Sequence, residues 1–149
     1  MGRVIKKIRV ENLEDVLRAE RGELSFGQIR AVEIDALVDT GATSLCLPAK
    51  IIADLGLSFL GVRTAITADG PKENRVFRGA QLTILNRTCT GDVMELSDNL
   101  PALIGYVPLE VLDLKVDPKE GTIIPNPEHG DKIVLDLFLY FVVGSIVEA

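Results

Sequence analysis

A chain of 149 residues, 47% apolar and 26% charged, is long enough for one domain with its own core and too apolar to be disordered by default. Its net charge of −6, without any basic run, argues against nucleic acid as the main partner. Two cysteines, Cys46 and Cys89, make neither a disulfide scaffold nor a four-cysteine metal site. They read as small buried hydrophobes in a reducing, cytoplasmic setting.

Residues 1–11 carry Arg3, Lys6, Lys7 and Arg9 but no apolar run of the length an export signal needs. Within them Val4, Ile5, Ile8 and Val10 predict an opening strand. Residues 11–23 are highly charged and fit either a short helix or a loop. Ile29, Val32, Ile34, Ala36 and Val38 recur mostly at every second position, the period of a strand. Residues 48–55 predict a helix, with Pro48 at its first position, Ile51, Ile52 and Leu55 on one face, and Gly56 closing it. Two strands follow, 62–68 and 75–80, around the turn signal Asp69-Gly70-Pro71. A second hairpin is expected around 81–96, its register open. Residues 108–112 predict a second short helix. Leu114–Asp117 and Thr122–Pro125 flank a Pro-Lys-Glu-Gly turn. Short strands at this spacing suggest a small barrel or a sandwich.

One stretch carries chemistry: Ala36-Leu37-Val38-Asp39-Thr40-Gly41-Ala42-Thr43-Ser44. An apolar strand runs into a carboxylate, then into hydroxyls and a glycine. A carboxylate at the end of a buried strand is costly unless solvated or hydrogen-bonded. Gly41 lets the backbone turn tightly, and Thr40 and Thr43 supply hydroxyls at close range. The pattern suits a carboxylate held rigid, hydrogen-bonded and partly dry. A strand-end Asp capping its own turn is the plainer alternative.

The run Leu37-Val38-Asp39-Thr40-Gly41-Ala42-Thr43 resembles the active-site motif of retropepsin-like aspartic proteases. Two further features follow in that family's order. Thr67-Ala68-Asp69-Gly70 resembles the tip of its flap hairpin. Ala102-Leu103-Ile104-Gly105 resembles the apolar element that packs beneath the active-site loop. The resemblance covers roughly residues 28–125 of a single domain spanning 1–149. It implies an all-β fold, a closed barrel lobe with a flap hairpin and one or two short helices.

The resemblance also implies a function. The chain holds one Asp-Thr-Gly, so two copies would have to meet as a homodimer with Asp39 from each on the two-fold axis. The pair would share a proton, activate a water and hydrolyse a peptide bond without metal or organic cofactor. Thr40 would contact the partner's copy of itself. Gly41 would offer its N–H to the carboxylate, Ala42 would continue the loop, and Thr43 would bond the outer carboxylate oxygen. Ala68, Asp69 and Gly70 would bring backbone groups to a peptide or protein substrate. The flap departs from its glycine-rich retroviral relatives at Asp69, Pro71 and Lys72, and it lacks an aromatic residue at the tip.

The remaining singular residues have plainer readings. His129 reads as a solvated loop histidine, and Cys46 as core rather than nucleophile. Asn86-Arg87-Thr88 matches a glycosylation acceptor but reads as a turn. Asp113 and Asp117 read as helix-end and turn charges. The apolar tail, residues 131–149, includes a 15-residue window, 133–147, too short for a span of about 20. Residues 133–143 read as a strand apolar on both faces, suited to a dimer interface or sheet core, and their residue types tolerate a helix as well. Membrane contact through this tail is a weaker expectation. The alternative to an enzyme is a peptide-binding or dimerisation module that keeps the fold without catalysis.

Overall fold

The computed structural model describes residues 3–137 and, beyond them, the backbone of two short strands, Tyr140–Val142 and Ser145–Val147. Strand β1 (Ile5–Asn12) pairs antiparallel with β2 (Ala31–Val38), Ile8 opposite Ile34 and Val10 opposite Val32. Parallel to the end of β2 runs β7 (Ala102–Ile104), which also pairs with β3 (Leu45–Pro48). Next to β3 comes β6 (Arg87–Leu96), and next to that the long β5 (Gly70–Ile84). Residues Arg9 to Asn12 of β1 pair back onto β5 and close a six-stranded barrel. The all-β barrel implied by the sequence is therefore present. The resemblance stopped near residue 28, yet β1 is a full barrel strand. Outside the ring, β4 (Ser58–Thr67) pairs with β5 alone and forms a projecting hairpin.

The interior is filled by alternate residues of these strands. Ile8, Val10, Leu47, Ile84, Val93 and Ile104 are essentially inaccessible. Burying a side chain of this size is worth about 1.5–3 kcal/mol, so the apolar alternation read in β1 and β2 is what closes the ring. The turn between β5 and β6 uses Leu85 and Asn86, both at positive φ, the pattern of a tight two-residue hairpin. Asn86 thus sits in a turn, as its sequence suggests.

Among the described residues there are three α-helices where the sequence suggested two. The additional one, α1 (Leu13–Glu20), occupies the charged stretch that fitted either helix or loop. Val16 and Ala19 face the protein beside the buried Asp15, and an apolar stripe of two residues is too short to mark a helix in the sequence. Asn12 caps it, accepting from Asp15 N–H at 3.0 Å, and donates to Leu55 carbonyl at 2.8 Å. Asp15 is buried and receives Arg30 through its backbone N–H, Nε and Nη2. That hydrogen-bonded guanidinium holds the Asp15 carboxyl below its usual range, against the opposing effect of burial. Helix α2 (Ala49–Leu55) begins one residue after Pro48, which ends β3 in extended conformation instead of opening the helix. Gly56, in left-handed conformation, terminates α2 as expected. Helix α3 (Tyr106–Val111) starts two residues earlier than its apolar pattern suggested.

A separate hairpin of β8 (Leu114–Asp117) and β9 (Thr122–Pro125) follows α3. The strand expected over 133–143 is not continuous. Residues 133–137 lie outside any strand and are exposed, Leu137 at 88%. Beyond them β10 (Tyr140–Val142) pairs with β11 (Ser145–Val147). Residues 138, 139, 143 and 144 lie outside the described residues. Among the described residues no helix is long and apolar enough to cross a membrane.

Candidate active site

Strand β2 delivers Asp39 at the mouth of the barrel. Its last two residues, Leu37 and Val38, pair with Leu103 and Ile104 of β7, and Asp39 N–H donates to Ile104 carbonyl at 3.0 Å. On the other side of β7, Leu103 and Ile104 pair with Cys46 and Leu45 of β3. One three-residue strand thus sits beneath both stems of the loop 39–44.

The loop itself is fixed by backbone bonds. Ala42 N–H donates to Asp39 carbonyl at 3.0 Å and closes the turn. Gly41 N–H donates to Asp39 Oδ1 at 2.9 Å. Three successive carbonyls, of Ala42, Thr43 and Ser44, accept from the N–H groups of Tyr106, Val107 and Gly105 at 2.9, 3.0 and 3.0 Å. Donors at the start of a helix have no partner within it. At α3 the Asp39 loop supplies those partners, so loop and helix are spliced together. A Cβ on Gly105 would lie within 2.6 Å of the Thr43–Ser44 backbone, so only glycine allows this approach.

Asp39, Thr40, Gly41 and Thr43 are exposed and Ala42 is half-buried. The carboxylate is rigid and hydrogen-bonded, but it is open to water, not partly dry. The ring of the barrel ends below it, and nothing from the described residues covers it. Among those residues its hydrogen bond comes from Gly41; Thr43 enters the loop through its carbonyl, and its hydroxyl makes no bond to Asp39. A recess of about 380 Å³ runs beside Asp39 and Thr40, walled by Arg3, Val4 and the Pro118–Gly121 turn. A larger groove, about 850 Å³, starts at Thr40 and follows α3 and β8 toward residues 126–136.

The hairpin tip is where the sequence put it. Ala68 and Asp69 form the turn between Thr67 and Gly70, which pair. Thr67 Oγ1 donates to Gly70 carbonyl at 2.7 Å and accepts from Asp69 N–H at 3.2 Å. Gly70 has φ +102°, which strains any other residue. Neither recess at Asp39 is lined by these tip residues.

His129 is not the free surface residue its loop suggested. Its Nδ1 lies 2.6 Å from Asp113 Oδ2, and its side chain is only 29% exposed. Asp113 is buried at the end of α3 and also accepts from Val134 N–H at 3.0 Å and Asn126 Nδ2 at 3.1 Å. One carboxylate therefore fastens residues 126–134 to the helix behind the active-site loop. Partners 13 to 21 residues away leave no local sequence signal. The Val134 N–H above all, with His129 and Asn126, lowers the Asp113 carboxyl to about 2 despite burial. Its ordinary value is 3.8, so the folded chain holds fewer protons here between those values than the unfolded one. The stabilisation is complete above about pH 4 and is lost as pH falls toward 2. Thermal unfolding of the native protein and Asp113→Asn is expected to differ clearly just above pH 4. The difference should shrink steadily below it.

Among the described residues no cluster of three His, Cys, Asp or Glu is arranged to hold a metal. Cys46 is buried in β3, and burial pushes its thiol up, as for a core residue.

A search of curated proteins finds no match. A family model described as aspartyl protease matches residues 23–106, more than half the chain. The match takes in the Asp39 loop, the projecting hairpin and β7. Sequence and barrel agree, and the chain belongs to the retropepsin-like aspartyl protease family.

Proposed function

We propose that two copies of this chain form one aspartic endopeptidase, with Asp39 of each protomer facing the other across a two-fold axis. The observation that carries the reading is the single Asp-Thr-Gly loop, held by backbone bonds at Asp39, Ala42, Thr43 and Ser44 while its carboxylate stays exposed. A rigid acid at an open surface supplies half of a dyad, and a second copy supplies the cover that the barrel lacks.

The chemistry follows from repulsion. Two carboxylates about 3 Å apart at an effective dielectric near 20 repel by roughly 5–6 kcal/mol. That favours the singly protonated pair by a factor on the order of 10⁴. The titration belongs to the pair and not to either copy. The ionised Asp39 takes a proton from the shared water, and the protonated one donates to the scissile carbonyl. Thr40 meets its symmetry mate, and Gly41 keeps one carboxylate oxygen oriented. An extended peptide pairs with strand edges and with the Ala68–Gly70 tips above it.

Incubation with a diverse peptide library over a range of pH, alongside measurement of solution mass, tests this. Cleavage products and a dimer are expected. Tight peptide binding without product supports a non-catalytic peptide-binding module, and a strict monomer removes the dyad.

A further inference from the structure

The projecting hairpin leaves the barrel at a fork. Below it, β5 pairs with β6 through Val76 opposite Met94. Beyond Met94, Glu95 and Leu96 have no β5 partner and keep only β3 on their other edge, Leu47 and Pro48. Residues 70–75 of β5 have only β4 beside them, and residues 61–75 form a two-stranded arm. Both ladders are irregular just below the fork, between Phe59 and Gly61 and between Phe77 and Ala80. Such breaks let a strand bend and twist.

Across the fork the backbone ladder is replaced by two side chains. Asn74 Nδ2 donates to Glu95 carbonyl at 2.9 Å. Arg75 Nη1 lies 3.8 Å from Glu95 Oε2. The Arg75 guanidinium carbon also sits 5.1 Å from the Phe59 ring centre and 5.0 Å from that of Phe77. These rings meet edge-on at 5.7 Å. Arg75 thus touches β4, β5 and β6 at the level where the sheet divides.

We propose that Asn74 and Arg75 are the clasp of a hinge that sets how far the 61–75 arm stands off the barrel. They are positioning residues for substrate access, not catalytic ones, and that part rests on reading the arm as the flap of the proposed protease. The Arg75 side chain is 56% exposed, so its pairing with Glu95 is weak. Contacts on two rings add modestly. A weak clasp suits an element that must open on every turnover, whereas a continued β5–β6 ladder would make the arm part of the barrel.

Amide hydrogen exchange on the free protein tests the hinge without any need for cleavage. Arg75→Ala and Asn74→Ala are each expected to speed exchange of the 61–75 amides about fivefold. Amides of Ile8, Leu82 and Val93 should keep their rates. Arg75→Lys should restore part of the protection, since an ammonium reaches Glu95 but does not stack on both rings. In the cleaving enzyme, Arg75→Ala should change KM about fivefold and leave kcat in place. Unchanged arm exchange, or equal acceleration in arm and barrel, overturns the hinge. A fall in kcat at constant KM overturns its role in access. A chain that loosens its arm as expected but cleaves nothing keeps the hinge and overturns the catalytic reading instead.

Discussion

Asp39→Asn is expected to reduce peptide cleavage by about 10³-fold or more while leaving the fold intact. The carboxylate is exposed and accepts one hydrogen bond, from Gly41 N–H, which an amide oxygen accepts as well. Stability should stay within about 0.5 kcal/mol of the native chain. The sharper measurement mixes the two proteins. If each site needs one Asp39 from each copy, only native homodimers cleave, and activity falls with the square of the native fraction. An equal mixture, after exchange of subunits, should retain about a quarter of the activity of the all-native sample. A protomer that holds a complete site by itself would retain about half. Cleavage by Asp39→Asn near the native rate would place the chemistry elsewhere on the molecule.

What the sequence made legible was local. Strand, carboxylate, hydroxyl and glycine stand within six residues from Val38 to Thr43, so the active-site loop and its supporting Ala102–Gly105 element are readable as patterns. The hairpin tip is readable for the same reason, because Asp69-Gly70 demands a turn wherever it falls. Features made by distant residues were not. Helix α1 depends on Asn12 and on Arg30, fifteen residues after Asp15, to secure a stripe too short to stand out. His129 looked solvated because its partner, Asp113, is sixteen residues away across the end of α3. The apolar strand before Asp39 suggests a partly dry carboxylate, and in the single protomer the residue is exposed although that strand ends in a buried core. The chain then leaves the barrel one residue later. The fork at Glu95 depends on where β5 parts from β6 while β6 keeps β3 on its other edge, and that is set by the closed ring, not by the residues of β6 alone.

Gly105→Ala is expected to damage both stability and cleavage without touching any reacting group. Gly105 has φ −81° and ψ −179°, an extended backbone that alanine adopts freely. The obstacle is space. An added Cβ would lie 2.5 Å from the Thr43 carbonyl carbon and 2.6 Å from both Ser44 N and Ser44 O. All three are backbone atoms and none can rotate away. Either the Asp39 loop or the start of α3 must move, and the bonds from Gly105, Tyr106 and Val107 N–H join the two. Overpacking of this kind costs about 1–3 kcal/mol, which lowers Tm by roughly 2–12 °C in a domain of this size. A displacement near 1 Å at a reacting carboxylate is worth about 10²-fold in rate. Gly41→Ala provides the contrast. Its Cβ would meet only Asp39 Oδ1, at 3.2 Å, a side-chain atom that needs to give by only a few tenths of an ångström. Gly41→Ala should therefore keep its Tm and lose cleavage through the carboxylate alone, whereas Gly105→Ala should lose both together. An unchanged Tm and near-native kcat/KM in Gly105→Ala would mean that the loop tolerates movement, and the rigidity on which the proposed dyad depends would have to come from the dimer contact instead of the splice to α3.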